Sequence, residues 1–206
     1  MRGTGEWRRN IWRFLVHNQR LLWLLGVLLL GVEIGCLVFR AAPRPLGAAL
    51  DGLLTPKAPP GGFAGVIGLV TASCFPTFLL LLLLFVAGLS ACGAPLALAV
   101  LLFFGMGLGL TEAYYFAQGG WGVGYVALLV LPHTLVAVVG LIMAVAESVR
   151  LSTRLCRQVL PGQSLGGGLW PDFRLYLARF LLCAGLLFAA GVLDTVLCLC
   201  FCAHFV

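Results

Sequence analysis

Apolar positions in this chain neither alternate nor keep to one face of a helix. They run on unbroken for about twenty residues, stop at a polar or glycine-rich break, and start again. The runs cover 21–39, 63–89, 96–116, 123–147 and 180–206. About 20 apolar residues at 1.5 Å per residue match a hydrocarbon core of roughly 30 Å. Backbone groups in lipid must bond within their own segment, so each run is expected to be a helix. The pattern predicts an all-α fold, a polytopic helical membrane bundle forming one integral membrane domain. Five spans is the expected count, and six is the competing one. The second run holds 27 residues, about 40 Å of straight helix. A bend at Pro76, or a first half lying at the interface, is expected there.

Composition strengthens this picture. Of 206 residues, 62% are hydrophobic and 10% charged, against about 25% charged in soluble domains. Charge then orients the bundle. Residues 1–20, the 90–95 turn and 148–179 fall on one side, with Arg2, Arg8, Arg9, Arg13, Arg20, Arg150, Arg154, Arg157, Arg174 and Arg179. The 40–62 loop on the other side holds Arg40, Arg44 and Lys57. Cationic loops stay cytoplasmic, so the N-terminus is expected inside and the C-terminus outside a cell membrane. The net charge of +6 is accounted for by topology and contact with anionic membrane lipids, with no nucleic-acid partner implied. The first run is too long for a signal-peptide core. Within 1–20, Arg9, Arg13, His17 and Arg20 share one helical face and Trp7, Ile11, Phe14 and Leu15 the other. An amphipathic helix on the inner leaflet is expected there, and Leu46, Leu50, Leu53 and Leu54 predict a short one in the 40–62 loop. Arg150, Arg154 and Arg157 form one face if the fourth helix continues beyond the membrane, with Glu147 able to pair with Arg150 or Arg154. That face is either solvated or a docking face for a partner.

Four ionisable groups lie within the runs: Glu33, Glu112, His133 and Asp194. Each is costly in hydrocarbon and marks a bundle interior or a functional path. Glu33 lies in "GVEIG", where small neighbours let it face another helix. Glu112 lies near the end of the third run, beside Tyr114 and Tyr115. No basic residue shares the depth of Asp194, which makes His133 its expected partner. "GMGLG" (Gly105, Gly107, Gly109) and "GGWGVG" (Gly120, Gly124) carry G-x-x-x-G spacing, and close packing of the third and fourth spans is expected. Eight cysteines fall mostly in apolar runs, where they behave as small hydrophobes. In "CLCFCAH", thiols two residues apart point about 200° apart on a helix and do not converge on a metal. A disulfide from Cys36 to the C-terminal group is a minor alternative. No nucleophile elbow, phosphate loop or paired-histidine metal helix occurs, so neither an enzyme activity nor a cofactor is expected.

The stretches "FLLLLLLFVAGLSACGAPLALAVLLFFGMGLGL" and "GGWGVGYVALLVLPHTLVAVVGLIMAVAES" resemble the core of the stage II sporulation protein M family over roughly residues 65–155. The features carrying the resemblance are the Gly93–Pro95 turn, the glycine-rich third helix, and Leu131, Pro132 and His133 in the fourth. The chain departs from the pattern after His133, where 134–139 holds no second proline or acid. The resemblance implies a non-enzymatic membrane scaffold. Such a scaffold recruits peptidoglycan-remodelling enzymes, the stage II sporulation proteins P and D, for septal wall degradation during engulfment in sporulation. Self-association of the scaffold stays open. The competing class is a transporter or permease subunit, with Glu112, His133 and Asp194 lining one cavity.

Pro132 and His133 have a local role in either class. Proline removes the donor that would reach the Leu128 carbonyl and bends the fourth helix. His133, next in line, is expected to donate to a freed carbonyl or a neighbouring helix. Family relatives accept Gln there, which favours hydrogen bonding over titration.

Overall fold

A computed structural model describes residues 19–41, 62–159 and 169–201. The expected amphipathic helices within 1–20 and 40–62 lie outside the described residues, apart from the last two positions of the first, which are helical. The described residues form an all-α bundle with no strand. We number the helices α1 (Gln19–Ala41), α2 (Phe63–Leu89), α3 (Gly93–Ala117), α4 and α5 (Leu169–Phe201). Helix α4 runs through three contiguous segments, Gly120–Tyr125, a π-helical stretch Val126–Val130, and Leu131–Val159. All five are long and apolar enough to cross a membrane, and the chain is a multi-pass membrane protein. Its outer surface agrees, with Leu29, Leu82, Leu135 and Leu181 each more than half exposed.

The helix ends depart from the apolar runs most clearly at α4 and α5. The 148–179 segment is expected as a loop, with continuation of the fourth helix as the alternative, and α4 does continue to Val159 while α5 starts at Leu169. The extension is two-faced. Ser148, Leu151 and Ser152 are buried, whereas Thr153, Cys156 and Arg157 are exposed. A polar face does not end a helix when the opposite face still packs. Proline at 76 does not divide α2 either, since the helix holds from Phe63 to Leu89 around it.

Helices α2, α4 and α5 pack on one another, α3 lies against α4 and α2, and α1 docks mainly on α3. Fully buried Leu84, Leu101, Leu141 and Leu187 fill the interior. The α1–α3 contact is of another kind. A Cβ on Gly31 or Gly35 would overlap the carbonyls of Leu102 and Met106, and one on Gly105 or Gly109 those of Leu28 and Val32. The two G-x-x-x-G stripes therefore face each other, and the backbones meet without side chains between them. The expected packing of the third and fourth spans is present, with Gly122 set against the Tyr115 carbonyl, but the Gly105–Gly109 stripe itself receives α1. A Cβ on Gly107, between them in sequence, would meet nothing within 4 Å.

The register of these contacts makes α1 and α3 parallel, which defines two poles. The basic pole carries the 90–92 turn and Arg20, Arg150, Arg154, Arg157, Arg174 and Arg179. The opposite pole carries the 118–119 turn and Arg40. At the opposite turn Gly119 takes φ +91°, a conformation that side chains disfavour.

Candidate functional site

The fourth helix begins as an ordinary apolar span, but its hydrogen-bond ladder widens just before Pro132. The Leu131 amide donates to the Val126 carbonyl, five residues back. Proline has no amide to give, and its ring crowds the carbonyl four residues earlier. Widening the preceding turn relieves that crowding at Leu128. The irregularity is thus a π turn ahead of the proline, with the helix continuing on both sides. The polar side chains that follow bond carbonyls four residues back on their own helix and do not reach the Leu128 carbonyl that the proline leaves without a donor. Thr134 Oγ1 donates to Val130 O at 2.8 Å, and His133 Nδ1 lies 2.7 Å from Leu129 O.

His133 Nδ1 also lies 3.3 Å from Asp194 Oδ1 on α5. Both neighbours of that nitrogen are acceptors when Asp194 is ionised, so the ring proton sits on Nδ1, and the neutral ring keeps its lone pair on Nε2. The second carboxylate oxygen, Asp194 Oδ2, accepts from Ser73 Oγ on α2 at 2.5 Å. One carboxylate therefore ties together α2, α4 and α5, the three helices of the inner bundle. Its surroundings are tight, since a side chain on Gly191 would run into Cys74 Sγ. The side chains of His133 and Asp194 remain 23% and 29% exposed, so the cluster sits at the edge of the bundle, not at its centre.

The other intramembrane acids stand apart. Glu112 is half-buried on α3 and shares no hydrogen bond or ion pair with His133 or Asp194. Glu33 is exposed on α1, and the glycines on either side of it, not the carboxylate, meet α3. The expectation that Glu33 faces a neighbouring helix is corrected accordingly. Its helix turns Gly31 and Gly35 inward, and a residue midway between them points away. Nearby, Cys36 Sγ donates to Gly109 O at 3.4 Å. Among the described residues no group of three His, Cys, Asp or Glu side chains converges on a metal position. Cys202 and His204 lie outside the described residues.

A second polar cluster lies at the basic pole, and of its contacts only the pairing of Glu147 with Arg150 is among the sequence-based expectations. Ser148 Oγ lies 2.9 Å from both Leu84 O and Ala144 O. Tyr176 of α5 donates to Phe85 O at 3.1 Å, and its ring stacks on Phe85 at 5.4 Å between centroids. Glu147 pairs with Arg179 across the helices and with Arg150 at 3.6 Å on its own helix. The 90–92 turn is held here as well. The Ala94 amide, exposed by the start of α3, donates to Ser152 Oγ at 3.0 Å, so a residue of α4 caps α3 in trans. Gly93 is required at this turn because a Cβ would overlap the Ala87 carbonyl. Pro95 follows in the first helical turn, where no amide is needed. The Ser148–Ser152 pair, one turn apart beside the last apolar residues, is the sequence signal for this cluster.

Comparison of the chain with protein-family models, curated proteins and solved structures finds no match. The chemistry of the two clusters is that of hydrogen bonding between helices. Hydroxyl, imidazole and carboxylate groups satisfy one another and the backbone, and no buried side-chain nitrogen or oxygen is left unpaired among the described residues.

Proposed function

We propose that this chain is a non-enzymatic membrane scaffold that recruits or localises peptidoglycan-remodelling enzymes at the cell membrane. By its resemblance to the stage II sporulation protein M family, its partners are the stage II sporulation proteins P and D, and its setting is septal wall degradation during engulfment. The N-terminus lies in the cytoplasm and the C-terminus outside. The observation supporting this reading is how the intramembrane polar groups are used. Asp194 is engaged by Ser73 and His133, which holds three helices in one arrangement. The transport reading instead calls for Glu112, His133 and Asp194 along one path, and Glu112 stands apart from the other two.

The test is made in a strain lacking the chain. Fluorescent fusions of the wall enzymes should lose their septal position and regain it on complementation. Septal placement unchanged by the deletion refutes the scaffold reading. Solute or proton flux in proteoliposomes that His133→Gln abolishes would favour transport. Orientation is checked separately in a cysteine-free background. Lys57→Cys should be labelled by an impermeant reagent from outside, and Gln163→Cys should not.

A further inference from the structure

Helix α5 enters the membrane with an ordered change of side chains along one face. Trp170, Arg174, Ala178 and Leu181 follow at intervals of four, four and three residues, so they line one side of the helix. Trp170 is 74% exposed, and with Arg174, Leu175 and Ala178 it lines a shallow recess at the basic pole. Indole rings favour the headgroup level of a membrane. Arg174 is exposed and makes no ion pair among the described residues. Arg150 and Arg179, by contrast, share Glu147.

Deeper along the same face the character changes. An apolar groove of about 240 Å³ opens between α2 and α5, lined by Phe78 and Leu82 on one side and Leu177, Leu181 and Ala184 on the other. From Arg174 to Ala184 the helix rises about 15 Å, half of a hydrocarbon core of roughly 30 Å. The groove itself covers the stretch from Leu177 to Ala184, about 10 Å of that rise, and recess and groove together match the depth of a single leaflet, with a guanidinium and an indole at the mouth.

We propose that the recess and groove on α5 form a binding site for an anionic glycerophospholipid of the leaflet bordering the basic pole. Arg174 receives the phosphate, to which a guanidinium donates two parallel hydrogen bonds. Trp170 flanks the glycerol region, and one acyl chain lies between Phe78, Leu82 and Leu181. A zwitterionic lipid of the same chain length fits the groove but brings its own cation to Arg174. The selectivity therefore comes from Arg174 and the affinity common to both lipids from the groove.

The full chain, purified in a non-ionic detergent, is titrated with dioleoyl phosphatidylglycerol or dioleoyl phosphatidylcholine, and bound lipids are counted by native mass spectrometry. Phosphatidylglycerol should bind roughly tenfold more tightly, the scale of one charge-assisted contact. Arg174→Gln should reduce that preference to about threefold or less, Arg174→Lys should retain most of it, and Leu181→Trp should weaken both lipids by filling the groove. Both positions are exposed, so thermal unfolding in lipid-free detergent should match wild type for each variant. Equal affinity for the two lipids overturns the proposal, as does a preference that survives in Arg174→Gln. Competition by glycerol 3-phosphate at the same concentration as the lipid overturns it too, because a headgroup alone would then suffice.

Discussion

Substituting alanine at Gly109 and, separately, at Gly107 should move stability in opposite directions, although the two glycines lie two residues apart in one helix. At Gly109 the added methyl overlaps the Val32 carbonyl and the backbone carbons behind it. Those atoms belong to a helix and cannot rotate away, so α1 must shift outward. Overpacking of this kind costs about 1–3 kcal/mol. At Gly107 the methyl meets nothing within 4 Å. The only effect is helix propensity, which favours alanine by about 0.5–1 kcal/mol. The variants should therefore differ by roughly 1.5–4 kcal/mol, the sum of those two ranges. Reversible unfolding in mixed micelles of mild detergent and sodium dodecyl sulfate, followed by circular dichroism, reads the difference directly. Gly35→Ala should follow Gly109→Ala, and Gly26→Ala, also without neighbours, should follow Gly107→Ala. Equal costs at 107 and 109 would refute the facing-stripe geometry, and with it the placement of α1 on α3.

Other substitutions probe the two polar clusters. His133→Leu should destabilise the bundle by about 0.6 kcal/mol and at most near 1.7, the range for hydrogen bonds between helices in membranes, while His133→Gln should keep most of that stability; the same unfolding assay measures both. Ser152→Ala should cost about 1 kcal/mol by leaving the Ala94 amide uncapped, and it should raise hydrogen exchange at Ala94 while leaving exchange in mid-α3 unchanged. Glu147→Gln should cost about 0.2–1 kcal/mol, since its arginine partners are part-exposed, and the loss should shrink as salt is raised.

The spans are legible in the sequence because hydrocarbon thickness sets a length that composition reveals directly. The His133–Asp194 pair is legible too, for the simple reason that a carboxylate deep in a span needs a partner and no lysine or arginine lies at its depth. Ser73 is not, because a lone hydroxyl in an apolar run is satisfied by its own helix backbone, so nothing marks it as a cross-helix donor. The Gly105–Gly109 stripe is visible, but its partner is not. Adjacent spans are the natural pairing, whereas Gly31 and Gly35 offer a matching stripe two helices away. Between those two glycines the charge of Glu33 is the more conspicuous feature. The reach of α4 past the membrane is obscured by its arginines. They read as a loop until the buried Ser148, Leu151 and Ser152 on the other face are taken together with them. The π turn has no sequence rule of its own; Pro132 announces only that the ladder must change.

The glycine contact between α1 and α3 has a consequence for biogenesis. The first helix emerges well before its partner, and 76 residues separate Ala41 from Ala117. At about 5–20 residues per second, synthesis of that stretch takes roughly 4–15 s. Throughout this interval the backbone stripe of α1 is bare to lipid or to the insertion machinery, and α2 leaves the ribosome without being its main mate. Nascent chains arrested before α3 should therefore be the form most readily removed by membrane quality control.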